Sequence, residues 1–290
     1  MLPIHKIIWH EVRAKARPAR VPEPCEAMEN EAQIRSYVKA YDWGGPFSAL
    51  QLHHLRELSK LIRPGDTVLD LACGPGPLLL ELAPLFPDCT FIGADLSRSM
   101  LDVLRATATE RGIRNLELLH EDIRLLPSLQ GRRVDLVITT LALHHLPNEE
   151  DLRATLRKIG ELLQHGAALY VFDFGLLRSS KTRALLIAES AKTAPPITVV
   201  DYEQSLRAAF EIDFVLRAAT EILKTPFRAS SSSFVDYYYF LQTEARTEPS
   251  AQVRKQISSL WGRLSLNNKI EYLLLQFLRR SRRHLKPIPG

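Results

Sequence analysis

Between residues 67 and 174, short apolar runs alternate with stretches in which apolar residues return every three or four positions. The runs Thr67–Leu71, Thr90–Ala94, Leu116–His120, Val134–Leu143 and Ala167–Phe174 predict five strands. The periodic stretches Pro77–Phe86, Ser97–Gly112 and Glu149–Gln164 predict the helices between them, with Pro77 suited to a first turn, Ser97 to an N-cap and Gly166 to a stop. Strands alternating with helices predict a parallel α/β sheet.

Phe47, Leu50, Leu55, Leu58 and Ile62 recur at helical spacing ahead of the first strand, and Arg63-Pro64-Gly65-Asp66 closes that helix with turn chemistry. After Gly175 the pattern changes. Helical stretches around Lys181–Lys192 and Tyr202–Phe210 flank the break Ala194-Pro195-Pro196, so residues 176–220 are expected to form an insertion over the sheet's carboxyl edge. Ile222–Phe227 and Val235–Gln242, separated by the serines 230–233, are expected to pair as the antiparallel end of the sheet. Beyond Pro249 two amphipathic helices are expected, one with Val253, Ile257, Leu260, Trp261 and Leu264 on a face, the other with Ile270, Leu273, Leu274, Phe277 and Leu278.

Composition agrees with this picture. A chain of 290 residues, 46% hydrophobic and 24% charged, can bury one large α/β core with additions. No run is long and apolar enough to span a membrane, and the first 20 residues lack the apolar h-region of a signal peptide, so a cytoplasmic protein is expected. Cys25, Cys73 and Cys89 are too scattered for a disulfide framework or a zinc site; reduced thiols and no metal are expected. The net charge of +5 is uneven, with ten basic side chains against two acidic ones over residues 246–290 and a net acidic middle. That tail is a candidate for an anionic surface or RNA, although a helical tail with a solvated basic face explains it equally well. An exposed apolar face on either tail helix would favour a homodimer.

The candidate chemistry starts at the first strand's end, Val68-Leu69-Asp70-Leu71-Ala72-Cys73-Gly74-Pro75-Gly76. A dinucleotide fingerprint begun at Gly74 fails, because Leu79 stands where close helix packing requires a small residue. The segment instead resembles the first motif of the class I S-adenosylmethionine-dependent methyltransferases, an acid followed at alternate positions by Gly or Ala, Gly and Gly. Asp70, Ala72, Gly74 and Gly76 fill those places, with Cys73 in the turn. The resemblance runs over roughly residues 36–242. It implies a Rossmann-like three-layer sandwich with a mostly parallel seven-stranded sheet, an antiparallel last pair and helical additions at both ends. It divides the chain into an N-terminal helical segment or lid (1–45), the methyltransferase domain (46–245) and a basic amphipathic helical tail (246–290).

The resemblance also implies S-adenosylmethionine as cofactor. Asp95, followed by Leu96, stands where the family grips the ribose hydroxyls, and two accepting oxygens suit a vicinal diol. Asp122 and Ile123 stand where an acid accepts from the adenine amine and an apolar residue covers the ring. Leu141-Ala142-Leu143-His144-His145-Leu146-Pro147 is similar to the segment of the ubiquinone/menaquinone methyltransferase-like branch that faces the methyl group. His144 or His145 is therefore a candidate base, with a structural or cofactor-lining role as the alternative. Tyr41 is placed at the cofactor's amino-acid end, and Trp43, Phe172, Asp173 and Tyr202 are expected around a small-molecule acceptor. The Asn/Asp-Pro-Pro-Tyr/Phe and Pro-Cys motifs of base-modifying relatives are absent, which weighs against adenine or cytosine methylation.

Overall fold

The computed structural model describes residues 3–281. Among them an eight-stranded sheet runs in the order β3-β2-β1-β4-β5-β7-β6-β8. Strands β1 (Thr67–Leu71), β2 (Thr90–Asp95), β3 (Leu116–His120), β4 (Val134–Thr140) and β5 (Leu163–Phe174) are parallel. Strand β7 (Tyr238–Gln242) lies antiparallel to β5 and to β6 (Arg228–Ser232), and a short edge strand, β8 (Arg279–Ser281), pairs with β6. The three-layer architecture is the expected one, with this eighth strand added.

Helices cover both faces because the central strands are apolar on both. Along β5, Ala168, Tyr170, Phe172 and Phe174 enter the core shared with α3 (Ser48–Leu58), α4 (Leu79–Leu85) and α5 (Arg98–Glu110). Ala167, Leu169 and Val171 alternate with them and face α6 (Glu149–Leu162) and α9 (Ile212–Ile222). The strand order reverses between β1 and β4, so a crevice opens beyond their carboxyl ends.

Two expectations are corrected here. Ile222–Phe227 is not a strand. Ile222 ends α9, whose buried Ile212, Val215, Leu216 and Ala219 follow helical spacing, and the partner of β7 is the serine-rich Arg228–Ser232. Pairing on two sides by β7 and β8 overrides the poor strand preference of serine. The fourth strand stops at Thr140, where Leu141 adopts φ +52° and Leu143–His145 make a single 3₁₀ turn. The insertion consists of α7 (Ser180–Ser190), α8 (Pro196–Ala208) and the start of α9.

Ahead of the sheet, α1 (Ile4–Val12) packs on α7, and α2 (Glu31–Ala40) packs on α8. Between them residues 13–30 form an extended strap, as Pro18, Pro22 and Pro24 dictate. The tail helices α10 (Ala251–Ser259) and α11 (Leu266–Leu278) pack on α3. Arg282 and Arg283 of the basic cluster lie outside the described residues. No described helix is long and apolar enough to cross a membrane.

Candidate active site

The crevice is walled by Ala72 and Gly74 from the first turn, Asp95, Leu96 and Ser97 from the second, Asp122 and Ile123 from the third, and Leu141, Ala142 and His145 from the fourth. Strap residues 26–28 and Tyr37 of α2 close it. Ala72 and Leu141 hold φ +52°, a left-handed conformation costly for residues with a Cβ, and both line the cleft.

Asp95 organises the floor. Its Oδ2 accepts from the Gly74 N–H at 2.7 Å and its Oδ1 from the Ser97 N–H at 2.7 Å, tying the two turns together. Burial pushes its carboxyl above the ordinary range despite these two bonds. Each oxygen retains a second acceptor site. A Cβ on Gly74 would meet only Tyr37 Cε1, at 3.9 Å, so the glycine keeps the cradle wall thin. Leu96, Ile123 and Met100 supply apolar surface beside Asp122. An acid with free lone pairs, an open glycine cradle and an apolar slot together fit an adenosyl group, and the carboxylates nearby suit a sulfonium.

The other turn residues sit behind this surface. Asp70 is buried below the turn, and burial followed by the Asp95 charge pushes its carboxyl well up. Cys73 faces the sheet, where an added Cβ on Gly93 would fall 2.9 Å from its sulfur. Gly76 is packed under Leu104 of α5. Both oxygens of Asp122 already accept from Arg124, with bonds of 2.6–2.9 Å, and these hold its carboxyl below the ordinary value although burial opposes them. Arg124 also meets Glu26 of the strap at 3.0 Å. Tyr41 stands one layer back, its phenol 3.3 Å from that of Tyr37; Tyr37 is the one that lines the cleft.

The two histidines differ. His144 is buried, with Nδ1 2.6 Å from Asp173 Oδ1, and Asp173 also accepts from the backbone N–H groups of Ala142, His144 and Phe174. Asp173 therefore shapes the histidine turn from beneath. His145 faces the cleft, with Nδ1 2.9 Å from Glu23 Oε2. Burial alone would lower the His145 pKa, but the adjoining Glu23 carboxylate holds it above its ordinary value, and Glu23 is held low in return. Glu23 also accepts from Ser205 and lies 3.8 Å from His144 Nε2.

Glu23, His144 and His145 bring three donor atoms within 4.8 Å of one another. The imidazole rings, however, lie 4.3 Å apart and are tilted by only 34°. Glu23 and His145 are the close pair of the three, while His144 Nε2 stands off at 3.8 Å.

Trp43, Phe172 and Tyr202 lie outside the cleft lining. The Trp43 indole reaches Glu81 at 3.4 Å, Phe172 packs among His54, Tyr238 and Phe240, and the Tyr202 hydroxyl pairs with that of Tyr237 at 2.7 Å. Sequence reasoning missed the strap. Its signal was the proline spacing, which marks an extended segment, with Glu23 and Glu26 within it.

Arg20 anchors the strap. Its guanidinium donates to the carbonyls of Ala208 and Pro147 at 2.6 Å, Leu146 at 2.5 Å and His144 at 3.0 Å, and lies over the Phe210 ring at 3.8 Å. The residue before the strap's acids thus grips the backbone of the histidine turn.

A parallel sheet with an acid at the second strand's end, a glycine turn at the first and an apolar slot between them is the arrangement of the class I S-adenosylmethionine-dependent methyltransferases. Residues 68–166 match a family model described as a methyltransferase domain, and the chain carries a methyltransferase domain of that class. It is 32% identical over 117 residues to the aklanonic acid methyltransferase DauC of Streptomyces sp. (strain C5), covering 39% of this chain and 51% of DauC. It is 30% identical over 161 residues to the ubiquinone/menaquinone biosynthesis C-methyltransferase UbiE of Ectopseudomonas mendocina (strain ymp), covering 53% of this chain and 61% of UbiE. The chain thus spans between half and two thirds of these curated relatives. Its fold also matches the plantazolicin methyltransferase BamL, solved with a triazolic desmethylPZN analog and SAH, at TM-score 0.57 and 15% identity over 91% of this chain and 93% of BamL.

Proposed function

We propose that the protein transfers a methyl group from S-adenosylmethionine to O, N or C of a small or lipophilic molecule. The observation that carries this reading is the convergence of Asp95 and His145 on one cleft, an anchor for the cofactor's ribose and a titratable group beside the site of transfer. Bound S-adenosylmethionine supplies an electrophilic methyl group on a sulfonium. Asp95 would hold the ribose hydroxyls, Leu96 and Ile123 would supply apolar surface to the adenine, and Asp122, whose oxygens already accept from the Arg124 backbone and guanidinium, would border its amine.

His145 takes the acceptor's proton when the acceptor must lose one. Glu23 beside the ring raises the proton affinity of His145 against the opposing effect of burial, and it stabilises the imidazolium that results. His144, locked between Asp173 and the strap, positions its neighbour. The relatives named for aklanonic acid and for ubiquinone/menaquinone biosynthesis support a small-molecule acceptor.

Calorimetric titration with S-adenosylmethionine and S-adenosylhomocysteine tests the reading. Wild-type protein should bind both, and Asp95→Asn, which keeps the side chain's size but replaces one accepting oxygen with a donor, should lose about tenfold or more in affinity, a change of about 1.4 kcal/mol. A folded wild-type protein that binds neither would overturn the proposal.

A further inference from the structure

We propose that α11 docks the protein on an anionic lipid surface. Leu266, Ile270, Leu273 and Phe277 stand at intervals of four, three and four residues, so they fall in one narrow sector of the helix. All four are exposed, at 74%, 47%, 58% and 85% of their surface. The opposite side is the one that binds the fold. Tyr272 is buried with its hydroxyl 2.8 Å from Arg56 of α3, and buried Asn268 donates to the Gly45 carbonyl at 3.1 Å.

A helix on a globular core normally turns its apolar stripe inward. Here Asn268, Tyr272 and Leu275 face in, and a row of four large apolar side chains faces out. The helix is firmly started, since Ser265 and Asn268 form a reciprocal capping box.

Charge selects the occupant. Arg263 precedes the helix and Lys269 flanks the stripe, whereas Arg279 behind it turns inward to Ser230, Gln242 and the Phe240 ring. The sequence continues with Arg280, Arg282, Arg283 and Lys286, and residues 246–290 hold ten basic side chains against two acidic ones. An apolar face bordered by cations is the pattern of a helix lying in the plane of a membrane interface, apolar side chains among the acyl chains and cations among anionic headgroups. A second copy would place two such positive tails against each other. RNA would satisfy the cations and leave four aliphatic and aromatic side chains without a partner.

Co-sedimentation of the full chain with vesicles tests the inference. Protein should pellet with vesicles of phosphatidylglycerol and phosphatidylcholine in equal parts and bind pure phosphatidylcholine roughly tenfold more weakly. The variant Leu266→Gln/Leu273→Gln/Phe277→Gln keeps the charge and alters only exposed positions. It should lose roughly tenfold or more of vesicle binding with an unchanged circular dichroism spectrum.

Three outcomes would overturn the proposal. One is wild-type protein that stays in the supernatant with the anionic vesicles. Another is a triple variant that binds them as well as wild type does. The third is a wild-type dimer in light scattering that the triple variant converts to monomer, which would make the stripe a seam between copies.

Discussion

Gly76→Ala separates the two jobs that one motif assigns to its glycines. Gly76 has φ +66°, and an added Cβ would lie 2.4 and 2.7 Å from the two methyl carbons of Leu104 and 3.1 Å from its Cγ. Leu104 is fully buried, so any shift of its side chain must be made against core neighbours. Left-handed backbone costs an alanine about 1 kcal/mol, and overpacking of a tight core adds about 1–3 kcal/mol. We expect Gly76→Ala to lose roughly 2–4 kcal/mol of stability, a fall in Tm on the order of 10 °C.

Leu104→Ala on its own should cost about 2–5 kcal/mol through the cavity it leaves. In the double variant the new methyl at 76 enters that cavity, so the combined loss should fall short of the sum of the two by about 1–3 kcal/mol. Urea unfolding of the four proteins measures this coupling. Losses that add to within about 0.5 kcal/mol, or a Gly76→Ala protein as stable as wild type, would refute the packing argument.

Other expectations follow from the strap and the thiols. Raising of the folded His145 pKa above 6.5 stabilises the fold below that value, and the benefit disappears as pH rises through the folded pKa; lowering of the Glu23 pKa below 4.5 stabilises it above that value. The stability that Glu23→Gln removes should therefore be largest between about pH 4.5 and 6.5 and shrink towards alkaline pH, as thermal unfolding across a pH series would show. Arg20→Met should strand four carbonyls, cost at least about 2 kcal/mol, and speed tryptic cleavage after the strap's Arg13 and Lys15, with an unchanged cleavage rate counting against the anchor. Exposed Cys25 should react quickly with a thiol reagent, while buried Cys73, whose thiol burial pushes well up, and buried Cys89 should react only on unfolding.

The parallel part of the fold was legible because its strands and helices carry opposite periodicities, and Thr67–Leu71 and Leu116–His120 match their predicted bounds. The serine strand was not, since its order derives from neighbours on both sides and not from its own residues. Motif spacing located the cleft wall at Asp95, Ile123 and Leu141. It could not reveal that Gly76, Cys73 and Asp70 face away, because in an irregular turn the direction of a residue does not follow its spacing in the sequence. The strap was the hardest part to read. Arg20 and Glu23 lie more than 100 residues from the histidine turn they hold, and no local pattern encodes that distance.

The strap has a further consequence for how such an enzyme can be cut, fused or recombined. A single leader touches the histidine turn through Arg20 and Glu23 and the cofactor cleft through residues 26–28, so the two are inherited together. Excising residues 68–166 would leave the cleft without the strap that forms one wall, and replacing the leader would exchange Glu23 and residues 26–28 in one move.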